Sequence, residues 1–333
     1  MITQKDIAAR LGISASLVSR ALSGTAKDIG ASKETVALIR KTASELGYTP
    51  NVAALTLRGE KSKTIGVVIK DFDDPFLGKM TGELQQLCQR DGYSLILTGF
   101  NIEDKVPCDT SSLLRYQLDA LIVCGSYICG SWVKNFISRD IPVVQIGADR
   151  KYAGVGRVEV DEAKCFEALV GFLGNLGHSH IGFLGTSGVP HQKRCVFFER
   201  ALHNAGLKAD KNFIAVVSPG INAGGKAMAK LFRQAGKSLP TAIVASDDML
   251  ALQGIRVAYE EGINIPSDIS LTGFDDISAS SMMIPSLTTV RVPVKKMIGL
   301  AFLMIFNKES FIPEVKYVDA ELVKRESCSS CNK

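Results

Sequence analysis

From residue 64 onward, short runs that are apolar throughout alternate with stretches of helical spacing. "TIGVVIK" (64–70), "YSLILTGF" (93–100), "DALIVCGS" (119–126) and "PVVQIGAD" (142–149) form a first set. "IGFLGTS" (181–187), "FIAVVSP" (213–219), "TAIVASDD" (241–248) and "ISLTGFDD" (269–276) form a second. Strands that are apolar on both sides belong to parallel sheets with both faces covered by crossover helices. The intervening segments supply such helices, as in Phe76, Met80, Leu84 and Leu87. The pattern predicts an α/β core of two doubly wound parallel sheets, one per lobe, dividing near Asp161. "LTTVRVP" (287–293) is read as crossing back. The expected first lobe is therefore residues 64–161 and 291–322, the second is 162–290, and residues 323–333 form a solvated tail.

The first sixty residues follow another rhythm. Ile7, Ala8 and Leu11 make one stripe of a short helix, and Gly12 permits the turn that ends it. Ser14 can cap a second helix with Leu17, Val18, Ala21 and Leu22 inward. Ala15, Ser16, Ser19 and Arg20 then share its outward face. A third helix fits residues 32–46, with Val36, Ile39, Ala43 and Leu46 inward and Gly47 as its stop. Three short helices with a tight turn between the first two describe an all-α helix-turn-helix headpiece over residues 1–49, and small outward side chains suit close approach to a major groove. Pattern alone equally allows an ordinary helical hairpin. Residues 50–63, containing "PNVAALTLRG", hold a helix too short to be stable by itself, so they read as a linker that orders against a partner.

Charge separates those two readings of the N-terminal helices. The chain has 333 residues, 39 Lys or Arg and 34 Asp or Glu, for a net charge of +5. Residues 1–63 hold ten of the basic and five of the acidic residues, so the whole excess lies there and the remainder is balanced. A basic appendage on a neutral body is the footprint of a polyanion binder. At 46% hydrophobic residues the chain can bury large cores, and no apolar run reaches the ~20 residues of a membrane span. "MITQKDIAAR" lacks the apolar stretch of a signal peptide, so a cytoplasmic protein with reduced cysteines is expected. Cys328 and Cys331 offer two thiols where a structural zinc needs four ligands, and no metal or cofactor is expected.

The residues from Thr3 to Ala8, then Gly12-Ile13-Ser14, then the run from Leu17 to Gly24, resemble the headpiece of the lac/galactose repressor family, and "LGYTPNVAALTL" resembles its hinge helix. Asp74-Pro75-Phe76, Gly177-His178, Ser246-Asp247, "GFDD" (273–276) and "PSLTT" (285–289) continue the likeness through the chain. The resemblance implies a dimeric repressor of double-stranded operator DNA, with a core similar to periplasmic sugar-binding proteins and a small-molecule effector in the cleft between its lobes. It implies DNA contacts from Thr3, Ser14, Ala15, Ser16, Ser19, Arg20 and Asn51, close hinge packing at Ala54, and a wedge between base steps at Leu57. It implies effector contacts from Arg194 and Asp275, with Ser246 and Asp247 as a further polar pair, and adds Phe76. Several residues depart from the family pattern. Val52 and Gly147 stand where the family's prototype has a basic and an acidic residue, Gly220 stands near an aromatic position, and Phe197 occupies a usual glycine position.

The residues themselves support a cleft site. Ligands of open parallel sheets lie beyond the carboxyl ends of the strands, where Asp73, Asp161, Asp247 and Asp275 fall. Such aspartates also commonly cap the next helix. Enzyme signatures are absent: "GTSG" (185–188) is one residue short of a nucleophile elbow, and "GVGRVEV" (154–160) lacks the third glycine of a dinucleotide fingerprint. The rival reading is a periplasmic-type solute-binding protein without a regulatory role, which would carry a signal peptide and no basic headpiece.

Overall fold

The structure is a computed structural model that describes residues 2–23, 31–49, 61–99, 110–125, 130–147, 152–306 and 311–331. It comprises two units, Met1–Ser62 and Lys63–Lys333.

In the first unit, α1 (Gln4–Leu11), α2 (Ala15–Ser23) and α3 (Lys33–Glu45) pack on one another. Thr3 and Asp6 form a capping box at the start of α1, the Thr3 N–H donating to the Asp6 carboxylate at 2.7 Å. Gly12 ends α1 at φ +66°, a left-handed conformation that suits a residue without Cβ. Ser14 Oγ accepts from the Leu17 N–H at 3.2 Å and so heads α2; Ser32 does the same for α3 through Thr35. Ile7, Ala8, Val18, Ala21, Ile39 and Ala43 make the small buried core.

The second unit begins with β1 (Thr64–Ile69), α4 (Pro75–Asp91), β2 (Ser94–Gly99), β3 (Ala120–Cys124), α5 (Gly130–Ile137), β4 (Val143–Ile146) and β5 (Val155–Val160). It continues through α6 (Glu162–Asn175), β6 (Ile181–Thr186), α7 (Val189–Asn204), β7 (Ile214–Val217), α8 (Ala223–Ala235), β8 (Ala242–Ala245), α9 (Asp248–Glu260) and β9 (Ser270–Asp275). The short α10 (Ser278–Met282), then β10 (Thr288–Arg291), α11 (Val294–Phe306), β11 (Val315–Val318) and β12 (Glu321–Val323) complete it. One sheet runs β11-β5-β4-β3-β1-β2, all parallel. The other runs β12-β10-β9-β8-β6-β7, parallel except for the antiparallel edge strand β12. Strands β1, β3 and β4 are buried at every position, as continuous apolar runs require.

The chain passes between the sheets after β5, after β10 and between β11 and β12. Two expectations are corrected here. Residues 321–322 lie in β12 of the second sheet and not in the first lobe, because they pair with Val290 and Arg291. The C-terminal segment is not a solvated tail. Ser327 is fully buried, its Oγ donating to the Leu271 carbonyl at 2.6 Å and accepting from the Thr288 N–H at 2.8 Å. Further on, the Cys331 N–H donates to the Leu176 carbonyl at 2.7 Å, and His178 bridges Thr241 Oγ1 and the Ser329 carbonyl at 3.0 Å each.

Candidate functional site

The first unit presents the outer face of α2. Ala15, Ser16 and Arg20 are exposed and Ser19 is half-buried, while the buried Val18 and Ala21 hold the helix to its neighbours. Thr3 and Ser14 are exposed, but their side chains also cap the helices they precede. Asn51, Ala54 and Leu57 lie outside the described residues.

In the second unit, strand ends of both sheets deliver charged side chains to one place. Arg194, on α7, is its centre. Its Nε and Nη2 donate to Glu162 Oε1 at 3.0 and 2.6 Å, and Nη1 donates to the Ser246 carbonyl at 2.6 Å. The guanidinium lies over the Phe274 ring, 4.1 Å from its centroid. Burial alone would lower the Arg194 pKa, but Glu162 and Asp275 outweigh it and keep the side chain charged. Three residues earlier, and so on the same helix face, His191 Nδ1 meets Ser246 Oγ, and its Nε2 is 3.4 Å from Asp247. Burial, with the charges of Arg194 and Lys70, pushes His191 down to about 3. It is therefore neutral near pH 7.

Carboxylates crowd the same space. Asp275 closes β9 in a left-handed conformation, φ +106°, uncommon for a side-chain-bearing residue. Its Oδ1 is buried with no hydrogen-bond partner; the Arg194 Nη2 contact, at 3.7 Å, is too long for one. Burial, together with Asp247, Asp248 and Asp74 and against the pull of Arg194, raises the Asp275 pKa well above the usual carboxylate range. Burial also raises Asp247, which caps α9 by accepting from the Leu250 N–H at 2.7 Å. From the first lobe, Asp74 caps α4 through the Phe76 N–H at 2.8 Å and is likewise raised by burial. Lys70, beyond β1, is lowered by burial despite the nearby charges of Asp74 and Asp247. Asp248 anchors the segment after Asp275, accepting from the Ile277 N–H at 3.0 Å, Ser280 Oγ at 2.6 Å and Thr289 Oγ1 at 2.5 Å. Lys79 Nζ donates across the cleft to the Asp276 carbonyl at 3.3 Å.

The structure thus gathers Arg194, Ser246, Asp247 and Asp275, and leaves Asp73, Asp161 and Phe76 apart from that hydrogen-bonded group. Asp161 is exposed and caps α6 through the Lys164 N–H. Asp73 is exposed, its own N–H donating to Asp71. Phe76 packs half-buried on the apolar core. Phe197 points to another side of α7, with Lys193 and Arg200 each 5.6 Å from its ring centroid. Sequence reasoning missed Glu162, His191, Phe274 and Lys70. Only the i, i+3 spacing of His191 and Arg194 could have signalled one of them.

Comparison with known proteins places this geometry. Residues 170–328 match the family profile of a periplasmic binding protein-like domain. The regulator GalS of Salmonella typhimurium, a helix-turn-helix transcriptional regulator, is 31% identical over 90% of this chain and 88% of its own. The transcriptional repressor PurR of Pasteurella multocida is 29% identical over 99% of both chains. Among solved structures, the lac repressor dimer bound to operator and an anti-inducer matches with a TM-score of 0.83 over 98% of this chain and 99% of that one, at 20% identity. No helix among the described residues is long and apolar enough to cross a membrane.

Proposed function

This chain belongs to the lac/galactose repressor family of helix-turn-helix transcriptional regulators, and from that premise we propose that it represses transcription as a homodimer whose grip on a near-palindromic operator is set by a small molecule in the inter-lobe cleft. The observation that carries the DNA-binding half is α2, whose exposed Ala15, Ser16 and Arg20 stand on a three-helix unit within the first 63 residues, which hold all of the chain's excess positive charge. In a dimer, two such helices read two half-sites, and protein symmetry is mirrored in the DNA. Asn51, Ala54 and Leu57 extend the contact into the minor groove. Large exposed apolar side chains of the second lobe, Ile221, Met282 and Ile284, are available for a second copy to bury.

The effector half rests on Arg194, Asp275, Ser246 and Asp247, whose donors and acceptors converge beyond the strand ends. Asp73, Asp161 and Phe76 complete the set we assign to the effector, as residues reached by a bound ligand and not as members of the buried network. A ligand shifts the lobes only by binding one arrangement better than the other. The basic headpiece favours this reading over a solute-binding protein without regulatory role. Selecting operator sequences from a random DNA pool with the full chain, and repeating the binding with Arg20→Ala, tests it. A selected palindrome bound by the wild type and lost in the variant is expected. Equal binding to all sequences overturns it.

A further inference from the structure

We propose that the effector carries a positively charged amine, seated between Asp275 and Asp247 and gripped by the Asp275 carboxylate. This deepens the cleft reading above and rests on it.

Around Asp275 stand Arg194 from α7, Asp247 and Asp248 from α9, and Asp74 from the start of α4, with Glu162 of α6 on Arg194 and Asp71 and Lys70 beyond β1; the adjacent Asp276 is paired with Arg291 and Arg325. Arg194 gives its Nε and one Nη2 hydrogen to Glu162 and one Nη1 hydrogen to Ser246, and its Nη2 stands 3.7 Å from Asp275 Oδ1, an ion pair too long for a hydrogen bond. Lys70 stands within the field of Asp74 and Asp247. His191 adds no charge, being held neutral by burial. Asp275, 9% exposed, therefore keeps a buried Oδ1 with no hydrogen-bond partner, beside the buried Asp248 and the half-buried Asp247.

A buried carboxylate surrounded by others has two ways to settle: it holds a proton, or it meets a cation. Burial favours the first, Arg194 at 3.7 Å opposes it, and an ammonium group supplies the second directly. A neutral polyol also donates hydrogen bonds, but without offsetting the charge. A charge-assisted hydrogen bond is stronger than a neutral one, which sets an expected preference of about tenfold for an amine over its hydroxyl counterpart. Binding an ammonium group favours the ionised Asp275 carboxylate, so association releases protons at any pH where that raised carboxyl still holds one. A neutral ligand leaves that proton in place.

Two measurements on the full chain decide the matter. The first needs no ligand. Because its folded pKa is raised, Asp275 costs stability progressively as pH rises above about 4, the ordinary carboxylate range. Asp275→Asn should therefore raise Tm, by an amount that grows between pH 4 and 8. A Tm unchanged or lowered across that range shows the carboxylate to be compensated and overturns the proposal. The second is calorimetry with D-glucosamine against D-glucose, and D-galactosamine against D-galactose, in buffers of different ionisation heat. An amine bound about tenfold more tightly than its partner, with proton release that disappears in Asp275→Asn, is the expected result. A neutral sugar that binds as well as its amine, and is lost in Asp275→Asn, keeps the cleft reading and overturns the amine. An amine bound equally by wild type and Asp275→Asn lies elsewhere and overturns the cleft reading itself.

Discussion

Arg194 was singled out for ligand binding, yet its contacts give it a structural task as well, and the two can be separated by measurement. Arg194→Met keeps apolar bulk over Phe274 but removes the guanidinium. The Arg194 and Glu162 side chains are 12% and 22% exposed, joined through two N–H donors on one oxygen, and the Ser246 carbonyl loses its donor at 2.6 Å. Breaking a buried pair by deleting one partner costs about 3–5 kcal/mol, because the other charge stays buried without compensation. A unit of this size loses about 2–4 °C of Tm per kcal/mol, so melting should fall by roughly 10 °C. Glu162→Leu in the same chain removes the stranded charge, and the double variant should recover most of the loss while still failing to respond to any effector. Thermal melts followed by far-UV circular dichroism read both variants and their sum. If Arg194→Met costs under about 1 kcal/mol, or the double variant costs as much as the two singles added, the pairing is not energetically coupled and the reasoning fails.

Four other outcomes are expected. Arg20→Ala should weaken operator binding by about 1–3 kcal/mol if it reads a base edge, and a gel shift unchanged from wild type would remove α2 from the recognition role. Ser14→Ala deletes the cap of α2 and should cost about 1 kcal/mol in headpiece stability, read by amide exchange of residues 15–23. Ser327→Ala strands the Thr288 N–H, leaves the Leu271 carbonyl only the weak Cys328 thiol donor, and should cost about 1–3 kcal/mol by urea unfolding; a loose tail would predict no change. His191 is pushed down to about 3, so the unfolded chain takes up its proton first, and stability falls as pH drops below about 6.5. His191→Gln should flatten that slope between pH 6.5 and 4, and an identical slope in both proteins contradicts the burial argument.

The apolar runs foretold β1 to β4 and β6 to β9 because these strands are mostly apolar along their length, the central ones buried on both faces and the edge strands β2 and β7 only in part. β5 escaped for the opposite reason: "VGRVEV" carries Arg157 and Glu159, which read as surface residues but pair with each other within the strand. β11 and β12 are edge strands, short and half polar, with nothing in their spacing to mark them. The site was legible where a side chain closes a strand, as at Asp275 and Asp247, and illegible where a neighbour decided its role. Asp161 and Glu162 are adjacent, and only the three-dimensional course of α6 sends the first to cap the helix and the second to Arg194.

The passage of the chain between the sheets also sets the order in which the protein can be finished as it is made. Domains generally fold as units, N-terminal first, during synthesis at about 5–20 residues per second. Here the first sheet has β1 to β5 by Val160, but α11, which packs on β4 and β5, is translated only after β6 to β10 of the second lobe. Its edge strand β11 comes later still. Until then that apolar face of the sheet is covered only by α4, while the headpiece, with a core of its own, has long since left the ribosome. A chain cut short between β5 and α11 thus carries the folded headpiece on a first lobe that cannot close. Control by the cleft is the last property this protein acquires.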